Sequence, residues 1–331
     1  MANELALFLI LAHSPLHVGV GEGIGHINLP TAREKTTDYP YLPGSSIKGV
    51  LREQAERKHA AEDEDGARYG EDPVVQVFGP PTSRAGDARG GMAFSDARLL
   101  FLPVRSLLGG FALVTCPLIL QRLARELKLC GRFTGKLAEA LASPVLLENR
   151  SDALIPKDSS LRYPPASGSD ADKGSGLSAV LLEDLSFRAA HSSDLDRLVE
   201  ALQEWKLWDE AEQAAFTKRL VLISDTDFSF FVSMALEVRH RVKIDDQTGT
   251  AASSGPWLEE YVPAESVFFG LVQGRDTVLL GKPVQDKKQE QTKSPARDNL
   301  TVLKGLVDRN TLLRFGGKSS GGAGRAFFRL L

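Results

Sequence analysis

The segment Phe315-Gly316-Gly317-Lys318-Ser319-Ser320-Gly321-Gly322-Ala323-Gly324-Arg325 sets five glycines beside a lysine and an arginine. Such a loop can bring backbone amides close to a phosphate while the two cations supply charge. The same composition also makes an ordinary surface turn. It is not a P-loop, because Leu312 stands where Walker A requires its first glycine. A dinucleotide fingerprint fails too, since Gly19-Val20-Gly21 is followed by Ile24 at the third glycine position. Two further basic features accompany the loop. Lys48 and Arg52 lie four residues apart and share a face of any helix they occupy. From Leu236 to Ile244, Glu237, Arg239, Arg241 and Lys243 alternate with Leu236, Val238, His240, Val242 and Ile244. That basic face suits a nucleic-acid groove; it equally suits an edge strand guarded by charge against aggregation.

Acid–base and metal chemistry have fewer candidates. The six histidines (13, 17, 26, 59, 191 and 240) form no HExxH or comparable ligand spacing. His17 and His26 could serve as acid or base, although a loop histidine is more often a hydrogen-bonding residue. With two cysteines, Cys116 and Cys130, a disulfide scaffold and a four-cysteine zinc site are both excluded. Cys116 precedes Pro117 and reads as structural.

The elements that must position these residues follow from pattern. A buried first strand is expected from about Glu4 to Ala12, running into the glycine-rich stretch Gly19 to Gly25. Pro40 and Pro43 keep the next stretch extended, and Ser45 or Ser46 then caps a helix to about Lys58. A helix is expected near 117–129, and helical periodicity returns over 193–219, with Leu195, Leu198, Leu202 and Trp205 on one stripe. Val221–Asp225 reads as a short strand. The alternating strand 236–244, the turn at Asp245–Gly249 and the return segments Leu258–Tyr261 and Ser266–Leu271 read as a long hairpin. Stretches 62–72, 80–91, 163–178 and 284–298 read as surface loops. A helix near 298–308 and a strand at Thr311–Phe315 come last.

Bulk properties set the frame. With 331 residues, 42% hydrophobic and 25% charged, the chain is that of a globular protein with one elaborated domain or two. A net charge of -3 makes any nucleic-acid site a local basic track on a mildly acidic body. The apolar run Leu5 to Ala12 lacks a basic leader and is too short to span a bilayer, so a cytoplasmic protein without a membrane partner is expected.

The segments Tyr39-Pro40-Tyr41-Leu42-Pro43-Gly44-Ser45-Ser46-Ile47-Lys48-Gly49 and Gly316 to Arg325 together resemble the RAMP superfamily of CRISPR proteins. Leu16-His17-Val18-Gly19, Leu29-Pro30-Thr31-Ala32-Arg33-Glu34, Ser224-Asp225-Thr226-Asp227-Phe228 and Tyr261-Val262-Pro263 are similar, more narrowly, to the guide-coating backbone subunit of the type III-B Cmr effector complex. The resemblance implies an α+β fold: a ferredoxin-like (RRM-like) core with a large helical insertion and a projecting β-hairpin thumb. It places all of 1–331 in one RAMP domain. The palm takes about 1–60, 217–236 and 265–331, the insertion about 61–216 and the thumb about 237–264. Implied partners are CRISPR guide RNA, target RNA, further copies of the chain in a filament and other Cmr-type subunits. Implied RNA contacts are Lys48, Arg52, Arg239, Arg241, Gly316, Gly317, Lys318, Ser319, Gly322 and Arg325.

The family also implies metal-dependent cutting of target RNA, with Mg2+ or a similar divalent cation needed for cleavage and no cofactor for RNA binding. The position matching the family's catalytic aspartate holds Asn28. An amide can neither take a proton nor bind a hard cation as a carboxylate does, so weak or absent cutting is expected. His17 and Glu260 complete the expected catalytic positions, with Glu259 as the alternative acid and Glu34 or Asp38 as substitutes for the missing carboxylate. The rival function is a standalone endoribonuclease processing the CRISPR transcript with His17 and His26; a third is a RAMP-fold adaptor with little RNA contact.

Overall fold

The computed structural model describes residues 5–21, 23, 26–62, 72–81, 83, 89–147, 152–163, 178–252, 255–274, 299–307 and 312–331. All of the loop expected at 284–298, all but the end residues of those at 62–72 and 163–178, and part of that at 80–91 lie outside the described residues. The chain begins with β1 (Leu5–Ala12), the short β2 (Tyr41–Leu42), α1 (Gly44–Glu62) and α2 (Pro73–Phe78). There follow β3 (Met92–Phe94), β4 (Ala97–Ser106), β5 (Gly110–Thr115), then α3 (Pro117–Leu129), α4 (Gly135–Ala142) and α5 (Pro144–Leu147). Next are β6 (Ala153–Ile155), β7 (Ser178–Leu182), β8 (Leu185–His191), α6 (Ser193–Glu204), α7 (Glu210–Thr217), β9 (Leu220–Leu222) and α8 (Asp225–Met234). The last part holds β10 (Glu237–Arg241), β11 (Trp257–Tyr261), β12 (Val267–Gly274), α9 (Asn299–Leu306), β13 (Leu312–Arg314) and β14 (Arg325–Leu330).

This is a mixed α+β fold around one large, partly closed sheet. The strand order is β13-β14-β1-β12-β4-β5-β9-β6-β8-β7, and β7 touches β4 again through Ser106 and Leu182. The second half of the sheet therefore curls into a barrel-like wall. β1 runs in the middle of the first half and is buried along nearly its whole length, as its unbroken apolar run requires. Its antiparallel register against β12 sets Phe8 opposite Gly270. A Cβ on Gly270 would sit 2.5 Å from the Phe8 ring, so glycine makes room there, and Phe8 stacks on Phe328 of β14 at 5.3 Å.

Helix ends are fastened by side chains from distant elements as well as local ones. Ser192, Asp209 and Ser224 cap α6, α7 and α8 in the usual way. Asp225 accepts from the Leu118 amide at the start of α3 at 2.9 Å. At α1, the carboxylate of Asp96, rather than Ser45 or Ser46, receives the Gly44 amide (2.8 Å), so the helix starts earlier than its serines suggested. The helical stripe expected over 193–219 is two helices broken after Glu204, with Leu195, Leu198 and Leu202 buried.

Two expectations change. The stretch 61–216, expected as a helical insertion, also supplies β4 and β5, which lie in the middle of the sheet, and β6 to β8. The return arm of the hairpin is β11 alone. β12, expected to continue it, leaves to pair with β1 and β4, because Pro263 cannot donate to a ladder and Glu265 turns the chain at φ 69°. In addition β14, for which no element was expected, pairs with β1 on one side and with the edge strand β13 on the other. Among the described residues, no helix is long and apolar enough to cross a membrane.

Candidate nucleic-acid interface

β10 and β11 form a separate two-stranded ribbon, with Arg239 opposite Glu259 and Arg241 opposite Trp257. The glycine-containing segment 16–31 lies along the other edge of β11. Leu16 and Val262 exchange backbone hydrogen bonds, Leu29 donates to Leu258, and Glu260 donates to Leu29. The glycine-rich turn after β13 closes over the same end, where the Gly317 amide donates to the His17 carbonyl at 2.9 Å. Three segments far apart in sequence thus meet at β11.

Gly316 makes that closure possible. It sits at φ 77°, and a Cβ there would stand 2.2 Å from the His17 carbonyl oxygen. The rest of the turn is tied by Gly321 to Lys318, Gly322 to Ser319 and Gly324 to Pro15. Gly316, Gly317, Ser319, Gly322 and Arg325 are not buried, so the turn presents an exposed surface, while the amides of Gly317, Gly321, Gly322, Ala323 and Gly324 are already donated within the fold.

Glu259 and Glu260 are both buried, at 2% and 3% exposure; Glu259 is paired with two cations and Glu260 with one. On one face of β11, Glu259 accepts from Lys318 Nζ (2.6 Å), Arg241 Nε (3.1 Å), Trp257 Nε1 (2.9 Å) and the Tyr261 hydroxyl (2.5 Å). Burial works against its charge, but Lys318, Tyr261, Trp257 and Arg241 hold its carboxyl down to about 2. Arg241, bonded to the Tyr261 hydroxyl and Glu259, is held charged to higher pH than an ordinary arginine. Arg239 lies over the Tyr261 ring at 4.6 Å and pairs with Glu237. On the other face, Glu260 accepts from Arg33 Nη2 (2.7 Å) and the Thr31 amide (3.1 Å).

Glu259 should make stability depend on pH in acid. Its folded value lies below the ordinary 4.5, so its ionised form adds stability that is complete above 4.5 and lost as pH falls toward 2. Thermal unfolding followed over that window should show Glu259→Gln flatter in acid than the native chain. Equal slopes would mean that the ion pairs of Glu259 contribute nothing to the folded state.

The expected site residues divide. Lys318 and Arg241 converge on Glu259, with Gly316, Gly317, Ser319 and Gly322 in the adjoining turn. Lys48 and Arg52 lie on α1, which packs on β13; Arg52 is engaged by Glu56 (2.7 Å) and the Pro80 carbonyl (3.0 Å). Arg325 extends from the start of β14, exposed. His17 is buried and its Nδ1 is hydrogen-bonded to the Glu260 carbonyl (2.8 Å), its ring 5.3 Å from that of Tyr261. That arrangement suits a structural post. Cys116 is buried and its thiol is pushed up by desolvation, which agrees with a structural role. Tyr261 and Trp257 were not among the sequence candidates, although they flank Glu259 two residues away on each side and so share its face by strand periodicity.

Asn28 also supports the backbone, since its Oδ1 accepts from the Leu258 amide at 2.9 Å. Glu34, a possible substitute carboxylate, is held by Arg122 (2.8 Å) and Arg98 (3.5 Å), and Asp38 pairs with Arg33 at the surface. The divalent cation implied by the family resemblance does not fit these donors. Asn28 brings an amide, and Glu259 and Glu260 are each enclosed by cations and N–H groups. Among the described residues, no three His, Cys, Asp or Glu side chains are grouped to hold a metal.

Known proteins are similar to this chain in sequence and in fold. The sequence pattern of the RAMP superfamily matches residues 9–328. The chain is 30% identical over 263 residues, 78% of each chain, to the CRISPR system Cmr endoribonuclease Cmr4 of Pyrococcus furiosus. Oligomeric Cmr4 of that organism superposes with a TM-score of 0.64 at 23% identity, covering 100% of this chain and 98% of the other. A chain of the type III-B Cmr-beta complex bound to cognate target RNA superposes with a TM-score of 0.69 at 18% identity, covering 98% and 96%.

Proposed function

The chain belongs to the RAMP superfamily, and we propose that it is the backbone subunit of a type III-B CRISPR effector complex, holding guide RNA and the guide–target duplex. The observation that carries this reading is the convergence of Lys318 and Arg241 beside an exposed glycine-rich turn, in a chain similar to Cmr4 over most of its length. Two cations beside an exposed turn contact phosphate and carry no base code, which suits a subunit that must accept any guide sequence. Its partners on this reading are guide RNA, target RNA, further copies of itself and other Cmr-type subunits.

A ferredoxin-like palm is part of the proposal. The order β14-β1-β12-β4, antiparallel throughout, with α1 following β1 and α9 following β12, supports a βαββαβ unit. The β10–β11 ribbon would be the base of the thumb, and Lys48, Arg52, Arg239 and Arg325 would extend the phosphate track. RNA binding requires no cofactor here, and target cutting is weak or absent because Asn28 replaces the aspartate. A processing enzyme using His17 as acid or base is the poorer reading, since that ring is buried and hydrogen-bonded to a backbone carbonyl.

The test is to purify the protein with its native neighbours and sequence the RNA that stays bound. Short RNAs sharing one repeat-derived 5′ tag, in a large assembly, are expected. A monomer retaining only repeat stem-loops would overturn the proposal.

A further inference from the structure

The acid at the centre of the basic site invites a simple objection: a buried carboxylate should repel RNA. Its geometry points the other way. Lys318 reaches Glu259 from the glycine-rich turn and Arg241 reaches it from β10, so one carboxylate bridges two elements that have no sequence proximity. The bridge leaves donors over. A lysine carries three N–H groups and an arginine five. Among the described residues, Lys318 uses Nζ on Glu259, and Arg241 uses Nε on Glu259 and Nη2 on Tyr261. The side chains remain 36% and 39% exposed. Arg241 Nη2 also lies 3.8 Å from where a Cβ on Gly321 would stand, so the guanidinium lies close to the turn. One negative charge against two positive ones leaves the cluster with a surplus of one positive charge.

We infer that Glu259 is a positioning residue: it clamps Lys318 and Arg241 side by side so that their remaining N–H groups take one RNA phosphate against the exposed turn. The inference rests on the RNA-binding reading above and gives it a structural cause. An unclamped lysine would lose its rotamer freedom at the moment of binding; the clamp removes that cost beforehand. Trp257 and Tyr261 serve the same end by fixing the carboxylate through their own hydrogen bonds.

The sign of one substitution separates this from ordinary charge counting. Removing a negative charge should strengthen RNA binding if Glu259 merely repels phosphate. If it positions the two cations, Glu259→Gln should weaken binding by about tenfold, the scale of one charge-assisted hydrogen bond. The experiment is fluorescence anisotropy of a labelled, unstructured oligouridine with the purified full chain across a salt series. Glu259→Gln and Lys318→Ala should each flatten the salt slope by about one, and the double variant should lose less than the sum of the two single losses. Equal or tighter binding by Glu259→Gln, with Lys318→Ala weakened, overturns the inference and leaves the RNA-binding reading standing. No effect of Lys318→Ala and Arg241→Ala overturns both. Should Glu259→Gln fail to fold, Tyr261→Phe replaces it: a several-fold loss supports the clamp, and unchanged affinity overturns it.

Discussion

Replacing Asn28 by aspartate is expected to switch on divalent-metal-dependent cutting of target RNA in the assembled complex, by at least about 10²-fold over the native chain, the usual scale of one positioned acid–base group. Asn28 stands where the family resemblance implies a catalytic aspartate, and its side-chain oxygen accepts the Leu258 amide. A carboxylate can accept the same hydrogen bond with one oxygen, so the substitution should leave β11 and the segment beside it in place. It adds a second, charged oxygen that the amide lacks. The neighbouring acids cannot substitute for it, because Glu259 and Glu260 are enclosed by cations and N–H groups and Glu34 is held by two arginines. Cleavage of a complementary RNA by complexes carrying either chain, with and without Mg2+, is the measurement. Robust cutting by the native complex would sink the idea, as would a variant that folds, assembles and still leaves the target intact.

The second large effect is on stability. Glu260→Ala is expected to destabilise the chain by about 3–5 kcal/mol, the usual consequence of removing one partner of a buried ion pair. The loss would leave Arg33, whose side chain is 17% exposed, without its main partner, and would orphan the Thr31 amide. The exposed Asp38, 3.3 Å from Arg33, can recover a small part of this. Replacing both members of the pair, as Arg33→Met with Glu260→Leu, should cost less than Glu260→Ala alone, because no charge is then stranded. Denaturant unfolding of the three variants checks both statements. A Glu260→Ala loss below about 1 kcal/mol would mean that the pair is solvated and that its burial is of no energetic consequence.

The two adjacent glutamates show how far the sequence could be read. Glu259-Glu260 before a tyrosine marked the acidic position but not which residue faced which side, since strand alternation fixes a period and leaves its sign open. The sign was decided by partners elsewhere in the chain. Lys318 and Arg241 lie on one side of β11 and Arg33 on the other, so Glu259 meets the glycine-rich turn and Glu260 supports the segment 29–33. The same applies to β10. Arg239 and Arg241 are the more covered, packed on Tyr261 and Glu259, while Val238 on the opposite face is 46% exposed. A basic face standing free in solvent, which alternation alone allowed, is not what forms.

Features with local causes could be read from the chain alone. The unbroken apolar run of β1, Pro117 at the start of α3, the serine and aspartate caps, and the glycines that let Gly316 and Gly324 take positive φ all act within a few residues of themselves. The ordered motifs that identify the RAMP family are of this kind too. Tertiary structure alone decided the rest: β4 and β5 in the sheet interior, β12 leaving the hairpin, Asp96 starting α1, and one buried carboxylate joining β10, β11 and the C-terminal turn. The physical reason is range. Propensity and capping act over one turn or one hairpin, whereas a buried charge must find its counter-charge wherever the fold brings one, and nothing near Glu259 in the chain announces Lys318.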